Sequence, residues 1–259
     1  SNPKSYMGDM SNDVMAEQQQ NWDNFCQYHA NSDWYGTWNT HSPDGQLVEY
    51  LQCIRSFHLS EDGSEIHHQN HYTYTDGRKE TKTFGPYKKP ITRSLFLDNS
   101  FSWGSAKIEP GSNFGFETGF RYEDRRISVA VIYDGTGKME KIVAITEHLA
   151  SYSEESKLRS AKDISNNWQG TGKTMTPDWV VSSPVTASWN RLENLGEDYL
   201  TLHFIDGISI CCPRKVEIGK EFFLAADWLV NPNLLQRGIR QFDTSGFTGL
   251  TLEIFSPSA

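Results

Sequence analysis

Trp34-Tyr35-Gly36-Thr37-Trp38-Asn39-Thr40-His41-Ser42-Pro43-Asp44 and Trp168-Gln169-Gly170-Thr171-Gly172-Lys173-Thr174-Met175-Thr176-Pro177-Asp178 are the two stretches on which the fold turns. They align without a gap and share Trp, Gly, Thr, Thr, Pro and Asp, six of eleven positions. Self-similarity of this kind is the signature of a unit written twice. A second echo closes each half. Tyr133-Asp134-Gly135-Thr136-Gly137 precedes the apolar run Ile142 to Ile145, and Phe242-Asp243-Thr244-Ser245-Gly246 precedes Leu250 to Phe255. Both read as a hairpin feeding a last strand, and the second unit is the shorter.

Between these echoes the period is two. Leu51, Cys53, Phe57 and Leu59 share one parity, as do Ile127, Val129, Val131 and Tyr133, and then Leu200, Leu202 and Phe204. Alternation of this kind marks half-buried strands. Turns at Asp44-Gly45, Asp62-Gly63, Asp76-Gly77 and Asp206-Gly207 separate them. The sequence therefore predicts an all-β chain of two antiparallel up-and-down barrels in tandem. A short helix precedes each barrel. Asn12 caps the first, which carries Trp22, Phe25, Cys26 and His29 on one stripe, and the second spans Ser153 to Ile164. The polar second helix marks the boundary, giving domains over 1–150 and 151–259.

A chain of 259 residues with 37% hydrophobic and 13% aromatic content has the material for a core and is not disordered. Its net charge of -9 and the lack of a dense basic patch argue against a nucleic-acid partner. A mean hydropathy of -0.60, with no long apolar run, predicts no transmembrane segment, and Ser1 to Gln20 lacks the apolar stretch of a signal peptide. Cys26, Cys53, Cys211 and Cys212 are too few and too scattered for a disulfide framework, so reduced thiols in the cytoplasm are the expectation. Cys212 reads as a small buried hydrophobe rather than a reactive group.

Gly36-Thr37-Trp38 after an N-terminal helix resembles the first-strand motif of the lipocalin or calycin group. A longer set is more specific: Trp34-x-Gly36, Ser42-Pro43-Asp44-Gly45-Gln46-Leu47, Asp206 to Pro213, Phe222-Phe223-Leu224, and Trp228 to Asp243. Together they are similar to the family called domain of unknown function 3598, over nearly the whole chain. The resemblance implies two lipocalin-like barrels in tandem and a relationship to cyanobacterial and plant proteins. It implies no biochemical activity.

No catalytic signature is present: Gly-x-Ser-x-Gly, His-Glu-x-x-His and the phosphate-binding loop are all missing. If Glu65 to Tyr74 is a strand, His67 and His71 stand roughly 13 Å apart and His68 faces the other way, so no metal site is expected. Trp34, Trp38 and Trp168 read as barrel-closing plugs. Trp103, Trp179, Trp189 and Trp228 are candidates for an open mouth. Among Arg121, Arg125, Arg126, Arg237 and Arg240, one arginine per barrel should cover the first-strand tryptophan, a seal that the resemblance to lipocalins implies. An arginine facing a cavity would instead select a carboxylate or phosphate. The ligand-binding set is Trp103, Arg121, Trp228, Arg237 and Arg240, with no cofactor. The leading expectation is a binding protein for a small hydrophobic or amphipathic ligand, a lipid, isoprenoid or pigment, in the N-terminal barrel. The alternatives are a cyclase, hydratase or isomerase using Tyr122, Glu123 or His203 between the barrels, and a scaffold with both barrels filled by side chains.

Overall fold

The computed structural model describes residues 3–152, 164, 167–204 and 207–258. Helix α1 (Pro3–Tyr28) leads into β1 (Ser32–His41), β2 (Leu47–Leu59), β3 (Glu65–Tyr74), β4 (Lys79–Lys88), β5 (Ser94–Leu97), β6 (Ser100–Gly104), β7 (Phe114–Tyr122), β8 (Arg125–Tyr133) and β9 (Met139–Leu149). Then follow β10 (Trp168–Met175), β11 (Val185–Ser188), β12 (Tyr199–His203), β13 (Ile208–Pro213), β14 (Phe222–Asn231), β15 (Leu234–Asp243) and β16 (Gly246–Pro257). All ladders between them are antiparallel.

The nine-stranded sheet runs β4-β3-β2-β1-β9-β8-β7-β6-β5, and the seven-stranded sheet runs β11-β10-β16-β15-β14-β13-β12. Each is a meander whose first and last strands pair, so each curls into a barrel-like wall with one open seam, β4 to β5 and β11 to β12. The all-β class and the antiparallel meanders follow the sequence. The turn glycines Gly45, Gly63 and Gly77 take φ of +85°, +73° and +86°, values that a residue without Cβ adopts freely.

Helix α1 departs from its expected start: it begins at Pro3, so Asn12 lies inside the helix rather than capping it. Its expected stripe does face inward, with Trp22, Phe25 and His29 buried. It also covers the exposed edge of β5. Asn21 accepts from Phe96 N at 2.7 Å and donates to Ser94 O at 3.3 Å, while Asn24 donates to Phe96 O at 2.9 Å. Two amide side chains thus replace the missing strand partner. Of the expected second helix only Ile164 is among the described residues, and Asp206 of the Asp206-Gly207 turn lies outside them too.

The largest apolar core lies between the two sheets rather than inside either curl. Phe116, Phe120, Ile127, Val129 and Val131 of β7 and β8 pack on Ile210, Cys212, Leu224, Trp228 and Leu252 of the second sheet. Phe120 and Trp228 rings stack at 6.1 Å, and Phe116 lies 5.1 Å from Phe242. Tyr133 donates to Pro213 O at 2.8 Å across the same boundary. The apolar parity of β8 therefore points outward, toward the other sheet. Its alternate residues, Arg126 and Ser128, point into the first curl.

Candidate functional site

Inward-facing positions of the first curl carry charge. Arg55 of β2 stands opposite Trp34, and Glu147 of β9 stands opposite both Gly36 and Arg126. A Cβ at Gly36 would come within 2.7 Å of Glu147 Cγ, so glycine is what lets this side chain cross the wall. Glu147 is fully buried and accepts from Arg55 Nε and Nη2 at 2.9 and 2.7 Å, and from Arg126 Nη1 at 2.6 Å. Glu117 of β7 takes a longer pair from Arg55, 3.3 and 3.4 Å, and a 2.7 Å bond from Ser128. Burial pushes the Glu117 carboxyl up, but the guanidinium groups of Arg55 and Arg126 outweigh it and hold the group below the usual carboxylate range. Arg126 Nε donates to His29 Nδ1 at 2.9 Å. Burial, with Arg126 beside it, drives the His29 pKa well down and keeps the ring neutral.

Above this floor opens a cavity of about 290 Å³. Its walls are aromatic: Phe25, Phe57, Phe84, Tyr87, Phe96, Phe101 and Trp103, with Trp38 and Tyr72 meeting edge to face at 5.4 Å. On β3 a polar row lines it. His68 contacts the Tyr87 hydroxyl at 2.9 Å and Asn70 Oδ1 at 2.7 Å, and Asn70 donates to the Tyr72 oxygen at 2.9 Å. Burial and the nearby Arg55 lower His68 to about 3, while burial pushes Tyr87 up to about 12. Both side chains are neutral at physiological pH.

A family model described as "Domain of unknown function (DUF3598), N-terminal" matches residues 18–152, over half of the chain and all of the first sheet. The chain belongs to the DUF3598 family. Residues 192–253 match a second model, "Biogenesis factor required for ATP synthase 1, C-terminal domain". A protein of unknown function from the DUF3598 family of Nostoc punctiforme PCC 73102 has a similar fold, with a TM-score of 0.73 at 22% identity over 92% of this chain and 99% of that one. A putative thioesterase II from Thermobifida fusca YX aligns at 9% identity over 95% of this chain and 85% of that one, with a TM-score of 0.15, too low to imply a shared fold. No curated protein matches.

In this DUF3598 chain the residues singled out from sequence are not brought together in one place. Trp103 and Trp38 line the cavity. Trp34 is fully buried beside the end of α1, donating Nε1–H to His29 O at 2.9 Å. The Arg121 guanidinium lies 5.3 Å over that indole and donates to Tyr28 O at 3.0 Å at the C-terminal end of α1. Trp168 sits at the matching position of the second curl, packed with Trp189, Leu235 and Phe255. Trp228 is in the core between the sheets. Arg237 is locked to Asp227 at 2.6 and 2.8 Å, and Arg240 is buried between the sheets against Phe247 with Ser102 Oγ at 3.1 Å. Tyr122 and Glu123 line an open cleft of about 550 Å³ with Arg121 and Gln236, whereas His203 is held elsewhere by Ser209 and Glu193. Among the described residues no cluster could hold a metal ion, and no helix is long and apolar enough to cross a membrane.

Sequence reading missed Arg55, Glu117 and Glu147, and it considered Arg126 as a seal or as a cavity arginine for a ligand's carboxylate or phosphate, not as the partner of a buried glutamate. One signal was available. Arg55 is in phase with Leu51, Cys53 and Phe57, and Glu147 with Val143 and Ile145, so each charge falls in a run otherwise apolar and inward.

Proposed function

We propose that this protein binds a small hydrophobic or amphipathic molecule in the aromatic cavity of its first sheet. The observation that carries this reading is the ionic floor, Arg55, Glu117, Arg126 and Glu147, beneath rings that a ligand can replace water against. Buried charges of this kind contribute little net stability, and a cavity with a few convergent polar groups is the common form of a small-molecule site. At about 290 Å³ the site suits a short lipid, a small isoprenoid or a compact ring system, and is too small to enclose a whole tetrapyrrole. The shared strand order of the two sheets and the Trp34 and Trp168 positions support a tandem duplication of a lipocalin-like unit, with one copy keeping the cavity. All four thiols are free, which suits the reducing cytoplasm. The reading of an enzyme between the sheets has less support, because Phe116, Phe120 and Trp228 fill that space and Tyr122 and Glu123 face an open cleft.

Native mass spectrometry of the full chain, after incubation with short-chain alcohols, monoterpenols and bicyclic aromatics, should retain a one-to-one adduct. Hydrogen exchange should then slow in β2 to β4. Absence of any adduct, or slowing confined to β7 and β15, would sink this reading.

A second reading rests on the match of residues 192–253 to a domain of an ATP synthase biogenesis factor: the second sheet assists assembly of a protein complex. Co-migration of the purified chain with isolated ATP synthase subunits on a native gel tests it, and independent migration counts against it.

A further inference from the structure

The polar row on β3 runs in one direction, and that direction says what a bound molecule must offer. Asn70 turns its carbonyl oxygen toward His68 Nε2 at 2.7 Å, so that nitrogen carries the ring hydrogen. His68 Nδ1 is then left to accept from the Tyr87 hydroxyl at 2.9 Å. At the far end Asn70 Nδ2 donates to the Tyr72 oxygen, also at 2.9 Å. The Tyr72 hydroxyl has thus received a hydrogen bond and still has its own hydrogen to give, and none of the described residues takes it. Tyr72 is 8% exposed and lines the cavity. A buried donor without an acceptor is costly, so the site is completed by an acceptor on whatever enters.

The floor restricts the charge of that molecule. Arg55 and Arg126 direct N–H groups at Glu117 and Glu147, with Arg126 Nε given to His29, so two cations stand against two anions. An entering carboxylate would meet Glu117, and an entering ammonium would meet Arg55. Either would be desolvated over a floor whose two cations and two anions already balance each other. Neither His29 nor His68 supplies charge. The walls restrict shape. His68 stacks with Phe84 at 4.7 Å, Tyr87 meets Trp103 edge-on at 4.8 Å, and Phe25 stacks with Phe96 at 4.3 Å. Ring faces and edges offset in this way accept another ring by the same quadrupole geometry. The volume corresponds to about ten water-sized units at ~30 Å³ each, which is one or two fused rings.

We infer that the cavity selects an uncharged one- or two-ring molecule bearing a carbonyl-type oxygen, which accepts the free hydroxyl hydrogen of Tyr72. This rests on the ligand-cavity reading above and narrows it.

Calorimetric titration of the full chain with three probes tests it: 2-acetylnaphthalene, its carboxylate counterpart 2-naphthoate, and the aliphatic 1-decanol. The ketone should bind at least ~10-fold more tightly than either of the others, the size of one uncompensated polar mismatch. Tyr72→Phe keeps the ring and removes the donor, so it should weaken the ketone roughly three- to tenfold, and because Asn70 Nδ2 loses its acceptor it should also lower the Tm by a few degrees. Naphthoate or decanol binding as tightly as the ketone, or a Tyr72→Phe chain that binds the ketone undiminished, would overturn the inference while leaving a binding cavity in place. If none of the three binds, both the inference and the reading beneath it fall.

Discussion

Where Glu147 stands opposite Gly36 in the first curl, Phe255 stands opposite Gly170 in the second. The correspondence continues along the ladders. Arg126 pairs with Glu147 as Leu235 pairs with Phe255, Arg55 lies across from Trp34 as Trp189 lies across from Trp168, and Glu117 reaches Ala130 as Ala225 reaches Ile239. The same four wall positions thus hold Arg, Glu, Arg and Glu in one sheet and Trp, Ala, Leu and Phe in the other. Three of the second set, Trp189, Leu235 and Phe255, close into an apolar cluster around Trp168, and Ala225 packs with Leu192 and Cys211. The lesson is that this wall geometry does not need ions. Desolvating four charged groups costs several kcal/mol per ion before their mutual attraction returns it, and an apolar set of like volume does as well or better. On the proposed reading the first sheet carries its ions for the cavity above them. The second sheet has a buried ion pair as well, Arg237 with Asp227, and there Trp189 Nε1 donates to the same carboxylate at 3.0 Å, so the pair is enclosed rather than placed beneath a cavity.

The largest effect that separates the two curls is expected from Glu147→Ala. It strands the buried Arg126 guanidinium and leaves Arg55 only its longer contacts to Glu117, and should cost about 3–5 kcal/mol in denaturant unfolding. A loss under about 1 kcal/mol would show that the network carries no strain on removal and break the contrast with the second sheet.

Acid should act next, and through the first sheet. The folded-state pKa values of His68, about 3, and His29, well below its usual value, are depressed by burial. The unfolded chain therefore binds protons first as pH falls below about 6.5, and stability present above that pH is lost on the way down. From pH 6.5 to pH 5 the loss from His68 is roughly 2 kcal/mol at ~1.4 kcal/mol per pH unit, and His29 adds a loss of the same sign. Glu117, also depressed, adds a further loss only below about pH 4.5. Denaturant midpoints measured across this range should fall accordingly in the wild type and less steeply in His68→Asn. An equal slope in both chains would count against the neutral His68.

The smallest effect belongs to the exposed link between the sheets. Lys173 and Asp98 meet at 2.6 Å with side chains 27% and 43% accessible, so Lys173→Ala should change stability by less than about 1 kcal/mol. A larger change would mean that this surface pair, rather than the Phe120 and Trp228 core, holds the sheets together.

How much of this could be read from the sequence divides along the same line. The Trp-x-Gly-Thr recurrence, the Asp-Gly turns and the parity of β2, β8 and β12 are local signals, and they gave the antiparallel meander. The strand expected from Glu65 to Tyr74 has those limits. Parity tells which residues share a face but not which face is inside, and so the apolar row of β8 was read without knowing that it meets the second sheet. The ionic floor joins residues 62 and 92 positions apart in the chain, and only the ladders through β1 and β9 bring Arg55 to Glu117 and Glu147. Nor can spacing alone place an arginine. Arg121, Arg126, Arg237 and Arg240 look alike in the sequence, yet one caps a tryptophan, one is part of the floor, one is paired with an aspartate and one lies between sheets.

The most direct test replaces the floor with apolar residues of similar volume: Arg55→Met, Glu117→Leu, Arg126→Leu and Glu147→Met in one chain. If the ions serve the cavity and not the fold, guanidinium unfolding should give a stability equal to the wild type or up to about 1–4 kcal/mol higher, with β2 and β9 still protected from hydrogen exchange. A variant that loses several kcal/mol, or does not fold while its second sheet remains intact, would contradict the claim that the charges are there for a ligand.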